Sequence, residues 1–192
     1  MRRFAIRRGL ALAGTVMVAV MLSAMPGLTS AANAASGYGP IRNFGAAKCL
    51  DDPGFSHTSG TRMDSWGCNG GTNQQWRVFA SRVVSNQFQE YEFQNQASGL
   101  CLDMKSGSSA NGTPVIQWPC NTRDNAQWWS MGNPNSNYSP PWFVFLNDAS
   151  SSWMVISSDS HANGAKLEGW RPSNLFSDTN HWWDPTGCAC HT

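Results

Sequence analysis

The sequence predicts an all-β domain of three similar units arranged around a pseudo-threefold axis, and three observations lead there. The chain repeats at a period of 52 residues, each repeat consists of short apolar or alternating stretches separated by Gly, Asn, Asp, Ser and Pro, and cysteines recur in pairs of equal spacing. Beyond the N-terminal leader, no window of about 12 residues keeps a 3.6-residue period with good helix formers, so helices are expected to be short or absent.

The register of the repeat is set by landmarks 52 residues apart. These are Asn43, Asn95 and Asn147, then Cys49, Cys101 and Trp153, then Gly60, Gly112 and Gly164, then Trp66, Trp118 and Trp170. Trp76 and Trp128 keep the same spacing, and the third copy reaches Trp183 after about three inserted residues around Asn174 to Asp178, where a loop is expected. Strand signals include Lys48-Cys49-Leu50-Asp51, Thr113 to Trp118 and Trp142 to Leu146. Units of about 50 residues cannot each bury a core, so they are expected to close into one barrel, which also removes exposed sheet edges. The domain is placed at residues 39–186, with repeats at about 41–90, 91–142 and 143–186 and a C-terminal tail at 187–192.

Cys49 and Cys68, like Cys101 and Cys120, are 19 positions apart, and the repeat selects these two disulfides from the possible pairings. Trp153 and Pro172 occupy both equivalent positions in the third copy, the joint loss expected of a bonded pair. Each closed loop is expected to stabilise the fold by about 3 kcal/mol on a chain-entropy estimate. Cys188 and Cys190 beside His191 offer three soft ligands without a fourth, so no metal site and no cofactor is expected there.

Disulfides fit an exported protein. Arg2, Arg3, Arg7 and Arg8, an apolar run from Gly9 to Met25, Pro26 and the triplet Ala32-Asn33-Ala34 read as a secretory signal peptide over residues 1–34. The run is too short and too rich in small residues for a membrane span. Arg7-Arg8-Gly9-Leu10 also resembles a twin-arginine signal, and general secretion accounts for the same residues. Cleavage removes four of the 13 basic residues and none of the 12 acidic ones, leaving a mature chain with a net charge of −3. Such a chain has no basic field for nucleic acid and no second apolar segment to hold it at a membrane.

Ile41-Arg42-Asn43, Lys48-Cys49-Leu50-Asp51, Trp66-Gly67-Cys68-Asn69-Gly70-Gly71 and Asn73-Gln74-Gln75-Trp76 together resemble one repeat of the ricin B-chain-type lectins and related bacterial carbohydrate-binding modules. Cys101-Leu102-Asp103, Gln117-Trp118-Pro119-Cys120 and Asn125-Ala126-Gln127-Trp128 repeat the pattern. The resemblance implies a β-trefoil, with one shallow sugar site per repeat. The C–H face of a pyranose packs on Trp, and its hydroxyl edge meets a carboxylate and amides. It assigns Asp51, Asp64, Trp66, Asn73 and Gln74 to the first site, which is complete, and Asp103, Trp118 and Asn125 to the second, where Ile116 and Ala126 replace Asp64 and Gln74 and the nearby Gln117 and Gln127 are candidate substitutes. In the third repeat Val155 holds the acidic position and His181 the Gln position, so no sugar binding is expected and Trp170 is expected to pack rather than bind.

The function these residues imply is a secreted glycan- or polysaccharide-binding protein without catalysis, its partner a galactoside or plant cell-wall polymer. Two alternatives remain. An inhibitor or toxin-like interaction protein would act through the Gly132–Pro141 segment or the Asn174–Asp178 insertion, and a small glycoside hydrolase would use Asp51 and Asp64 as paired carboxylates.

Overall fold

A computed structural model describes residues 37–85, 88–133, 142–171 and 179–188. The expected leader, most of the Gly132–Pro141 segment, the Asn174–Asp178 insertion, Pro172, Cys190 and His191 lie outside the described residues. The architecture is all-β, with twelve antiparallel strands, four from each repeat, and short 3-10 turns in place of α-helices among the described residues. The first repeat contributes β1 (Arg42–Asn43), β2 (Cys49–Asp51), β3 (Asp64–Trp66) and β4 (Trp76–Ser85). The second contributes β5 (Phe88–Asn95), β6 (Cys101–Met104), β7 (Thr113–Trp118) and β8 (Trp129–Gly132), and the third β9 (Val144–Asn147), β10 (Trp153–Ile156), β11 (Ala165–Trp170) and β12 (Trp183–Asp184).

Barrel strands pair β12 with β1, β4 with β5, β5 with β8 and β8 with β9, and single bridges from Gly39 to Trp76 and from Phe143 to Trp183 complete the ring. The hairpins β2–β3, β6–β7 and β10–β11 meet at the pseudo-threefold axis through Lys166 opposite Asp64, Glu168 opposite Pro114 and Arg62 opposite Ile116. The buried core follows the same symmetry. Ile41, Phe93 and Phe145 form one set, Leu50, Leu102 and Met154 a second, and Met63, Val115 and Leu167 a third, and all nine are fully buried.

The fourth set corrects the period at one point. Trp76, Trp129 and Trp183 are fully buried and donate their indole N–H to the carbonyls of Leu50, Leu102 and Met154 at 3.0–3.2 Å. Trp129, not Trp128, is therefore the partner of Trp76, because the second repeat carries one extra residue between Asn121 and Gln127. Trp128 is also buried, but under the Arg82 guanidinium, 4.3 Å above its ring, instead of in the central cluster. The landmark asparagines join adjacent repeats. Asn43, Asn95 and Asn147 donate Nδ2 to the carbonyls of Asn180, Asn73 and Ala126, while their Oδ1 atoms accept from the following turn.

Both expected disulfides form, Cys49–Cys68 and Cys101–Cys120. Cys188 is buried at the edge of the core and is disulfide-bonded.

One core position is unusual. Asp52 stands where the other repeats place Met104 and Ile156, is fully buried, and accepts a 3.2 Å bond from Gln117 Nε2 of the next repeat, with its second oxygen unpartnered. Desolvation, then the charges of Asp51 and Asp64, push its carboxyl up to about 7. Desolvation also lifts the fully buried Glu92 to about 7. Because the folded state binds these protons more tightly than the unfolded chain, the stability they contribute is fully present below about pH 4 and is lost as pH rises through 7. Chemical denaturation should therefore show stability falling between pH 5 and pH 8. Asp52→Asn should remove on the order of 2 kcal/mol of that fall, and an unchanged slope would contradict the assignment.

Candidate functional site

Each inner hairpin presents one tryptophan to solvent. Trp66, Trp118 and Trp170 lie opposite Cys49, Cys101 and Trp153, at the end of strands whose inward residues feed the core, and they are 43%, 45% and 41% exposed. Trp170 is thus presented like the other two, contrary to the packing role expected for it. Each platform is shared by two repeats. Gly60, Gly112 and Gly164 hold left-handed φ values of 85°, 86° and 82° and donate N–H to the carbonyls of Gln117, Gly169 and Ser65 in the adjacent repeat. The Trp118 ring lies 3.5 Å from where a β-carbon on Gly60 would be, and the Trp66 ring 3.6 Å from that point on Gly164. The left-handed φ shared by these three junctions explains the repeated glycine.

In the first repeat the expected residues come together. Asp51 Oδ1 accepts from Asn73 Nδ2 at 2.9 Å and from Gln74 Nε2 at 2.8 Å. Gln74 also donates to the Gly67 carbonyl and accepts from Asn69 N–H, so one side chain both orients the acid and fixes the loop after Trp66. Asp64 faces Asp51 across β2–β3. Burial pushes the Asp51 carboxyl up, opposed by the Gln74 bond and reinforced by the charge of Asp64. Asp64 is held by a 2.9 Å ion pair to Lys166, which reaches in from the third repeat and is half-exposed. Sequence reasoning missed Lys166, because its signal lies 102 residues away in another repeat.

The second repeat differs from its expected form. Gln127 takes the part of Gln74, donating to Asp103 Oδ2 and the Pro119 carbonyl at 3.0 Å and accepting from Asn121 N–H. The extra residue puts Ala126 at the place of Asn73. Asn125 is exposed and accepts from Arg82, which also binds Glu90 and Asp148, so it makes no bond to Asp103. Asp103 and Trp118 line a cavity of about 640 Å³ with Gly60, Ile116, Asp124 and Ala126. Desolvation raises the Asp103 carboxyl to about 6, against the Gln127 bond and with the Asp124 charge.

The third repeat keeps its platform but has Val155 buried at the acidic position. Glu168, at the place of Asp64, is tied to Arg62 at 3.1 Å, and the His181 ring lies 5.2 Å from that of Trp153, which fills the half-cystine position. Among the described residues no group of three His, Cys, Asp or Glu side chains is placed to hold a metal ion.

Gln127→Ala should strip Asp103 of its donor and free the loop at residues 119–121. A loss of about 1–3 kcal/mol is expected, with faster amide exchange at Asn121, whereas exchange unchanged at Asn121 would show that another group holds the loop.

Comparison with known proteins agrees with the three-repeat β architecture. The family model described as ricin-type beta-trefoil lectin domain-like matches residues 28–118 and again 82–170. A designed threefold-symmetric protein, ThreeFoil, is similar in structure with a TM-score of 0.65 at 22% identity, the match covering 77% of this chain and 96% of that one. The Rhizoctonia solani agglutinin matches with a TM-score of 0.60 at 18% identity, covering 76% and 92%. An exo-beta-1,3-galactanase from Clostridium thermocellum matches at 0.64 and 21% identity, covering 77% of this chain but only 29% of the enzyme. Three repeats, a shared tryptophan core and a family match over most of the length make the chain a member of the ricin-type β-trefoil lectin domain-like family.

Proposed function

We propose that the protein is a secreted glycan-binding module that acts without catalysis. Its first site comprises Trp66, Asp51, Asp64, Asn73 and Gln74, with Lys166 added from the third repeat, and its second comprises Trp118 and Asp103, with Gln127 in the orienting role. Asn125, engaged by Arg82, falls outside the second contact set. The observation that carries the reading is the pairing, in two repeats, of an exposed tryptophan face with a carboxylate already oriented by a glutamine. An apolar ring face beside a fixed acceptor is what a pyranose, with its C–H face and hydroxyl edge, can use. Weak single sites on one rigid body gain avidity on a polymer with repeated epitopes. The leader and the disulfides support secretion, and a galactoside or cell-wall polysaccharide is the proposed partner.

A non-catalytic role is favoured by the state of the two carboxylates in the first repeat. Asp51 and Asp64 are cross-strand partners, both largely buried and each engaged by neighbouring side chains, so each carboxylate already serves a structural contact.

The test is binding of residues 35–192 to immobilised polysaccharides and galactosides beside Asp51→Ala/Asp103→Ala, with thermal unfolding of both and a reducing-sugar assay. Binding lost in an equally stable double variant, with no sugar released, is expected. Binding that survives in the double variant would reject these sites, and release of reducing sugar would reject the non-catalytic role.

In an Asp51→Ala background only the second site remains. Protonation converts the Asp103 acceptor to a neutral acid, so affinity there should fall about tenfold as pH drops from 7 to 5, and pH-independent affinity would contradict a role for that carboxylate.

A further inference from the structure

The three repeats share one backbone design but fill it differently. After the first inner strand each repeat makes a turn with left-handed residues, at Gly54 and Phe55, at Ser106 and Gly107, and at Ser158 and Asp159. The last residue of that turn is Phe55 in the first repeat, half-exposed, with its ring 3.4 Å from where a β-carbon on Gly71 would stand. The second repeat has Gly107 there. It also has Ala126 where Asn73 donates to Asp51, and Ile116 where Asp64 faces Asp51. Three bulky or polar side chains have thus become small or apolar around one acid, and this is where the 640 Å³ cavity lies. A β-carbon on Gly107 would stand 3.1 Å from the Ala149 methyl and 3.9 Å from that of Ala126, so the Gly107 backbone lies close to both methyl groups and the cavity wall at this point is apolar.

We infer that the second-repeat cavity selects a pyranose carrying a methyl-terminated substituent, its methyl group against Ala126, Ala149 and Ile116 while ring hydroxyls meet Asp103 and the ring lies on Trp118. This inference rests on the glycan-binding reading above. Its physical basis is the separation of polar and apolar lining. Asp103, Asp124, Lys105 and Ser106 can satisfy hydroxyls, whereas a hydroxyl set against Ala126, Ala149 and Ile116 would lose its hydrogen bonds to water without replacement. A methyl group there gains contact and loses no hydrogen bond. An acetamido group and a 6-deoxy carbon both present such a methyl, and the two sources are separable by experiment.

Saturation-transfer NMR and affinity titration would compare galactose, N-acetylgalactosamine, 6-deoxygalactose, glucose and N-acetylglucosamine on the Asp51→Ala protein. At least one methyl-bearing sugar should bind about three- to tenfold more tightly than its parent, with saturation strongest at its methyl protons. Whether the acetamido or the deoxy sugar shows the gain identifies the source. Ala126→Asn, which restores the residue of the first repeat, and Ile116→Thr, which replaces the ethyl branch with a hydroxyl, should each abolish the preference, read as the ratio of the affinities for the methyl-bearing sugar and its parent. Thermal unfolding would confirm that at least one of them is folded. Parent sugars binding as tightly as their methyl-bearing forms, in a manner lost with Asp103→Ala, would overturn this inference and leave glycan binding standing. No binding of any monosaccharide or polysaccharide to the native protein would overturn both.

Discussion

The structure depends on one constraint: no repeat can bury its own tryptophan. Trp76, Trp129 and Trp183 are too large for a four-stranded unit of about 50 residues, and each is enclosed only when three units close around the axis. The indole N–H then needs an acceptor, and the carbonyl of Leu50, Leu102 or Met154 supplies it within the same repeat. That bond draws the Q-x-W segment, or its His181 counterpart, against the first inner strand. This is why Gln74 and Gln127, two residues before the tryptophan, reach the acid on that strand. Core closure and site assembly are consequences of the same contact.

Closure also brings residues of two repeats together around each candidate site. Trp66 and Trp118 lie beside glycines of neighbouring loops, Gly67 is held by Asn163, and Asp64 is paired with Lys166. A substitution at a site therefore registers in the next repeat, and the polar pair Asp52–Gln117 shows the same coupling inside the core. Opposite Gly169 the second repeat supplies Met104, and the first supplies Asp52 against Gln117. Size and polarity are matched across the junction, so the three units diverge in sequence without changing the backbone.

Much of this was legible in the sequence, and the rest was not for physical reasons. Asn43, Gly60, Trp66 and their equivalents were readable because each meets a backbone requirement that recurs in every repeat, a carbonyl to clamp, a left-handed φ or an outward strand position. Trp128 was mistaken for Trp129 because strict 52-residue counting passes over a one-residue insertion. The local Gln127-Trp128-Trp129 spacing carries the correct register and also removes Asn125 from the place of Asn73. Trp170 was expected to pack because its repeat lacks an acid, yet exposure here is set by strand alternation and not by the acid. Lys166 depends on which residues the threefold closure juxtaposes, and that is not contained within any one repeat.

The central claim is that sugar binding requires both an exposed tryptophan and an oriented carboxylate, so that three equal platforms yield two sites. Indole N–H resonances from ¹⁵N-labelled protein, followed while a glycan that the protein retains is added, test it directly. Shifts confined to Trp66 and Trp118, with Trp170 and the buried Trp76, Trp129 and Trp183 unmoved, are the result the account predicts. A shift of Trp170 equal to theirs, or none at Trp66 and Trp118 under saturating glycan, would contradict it.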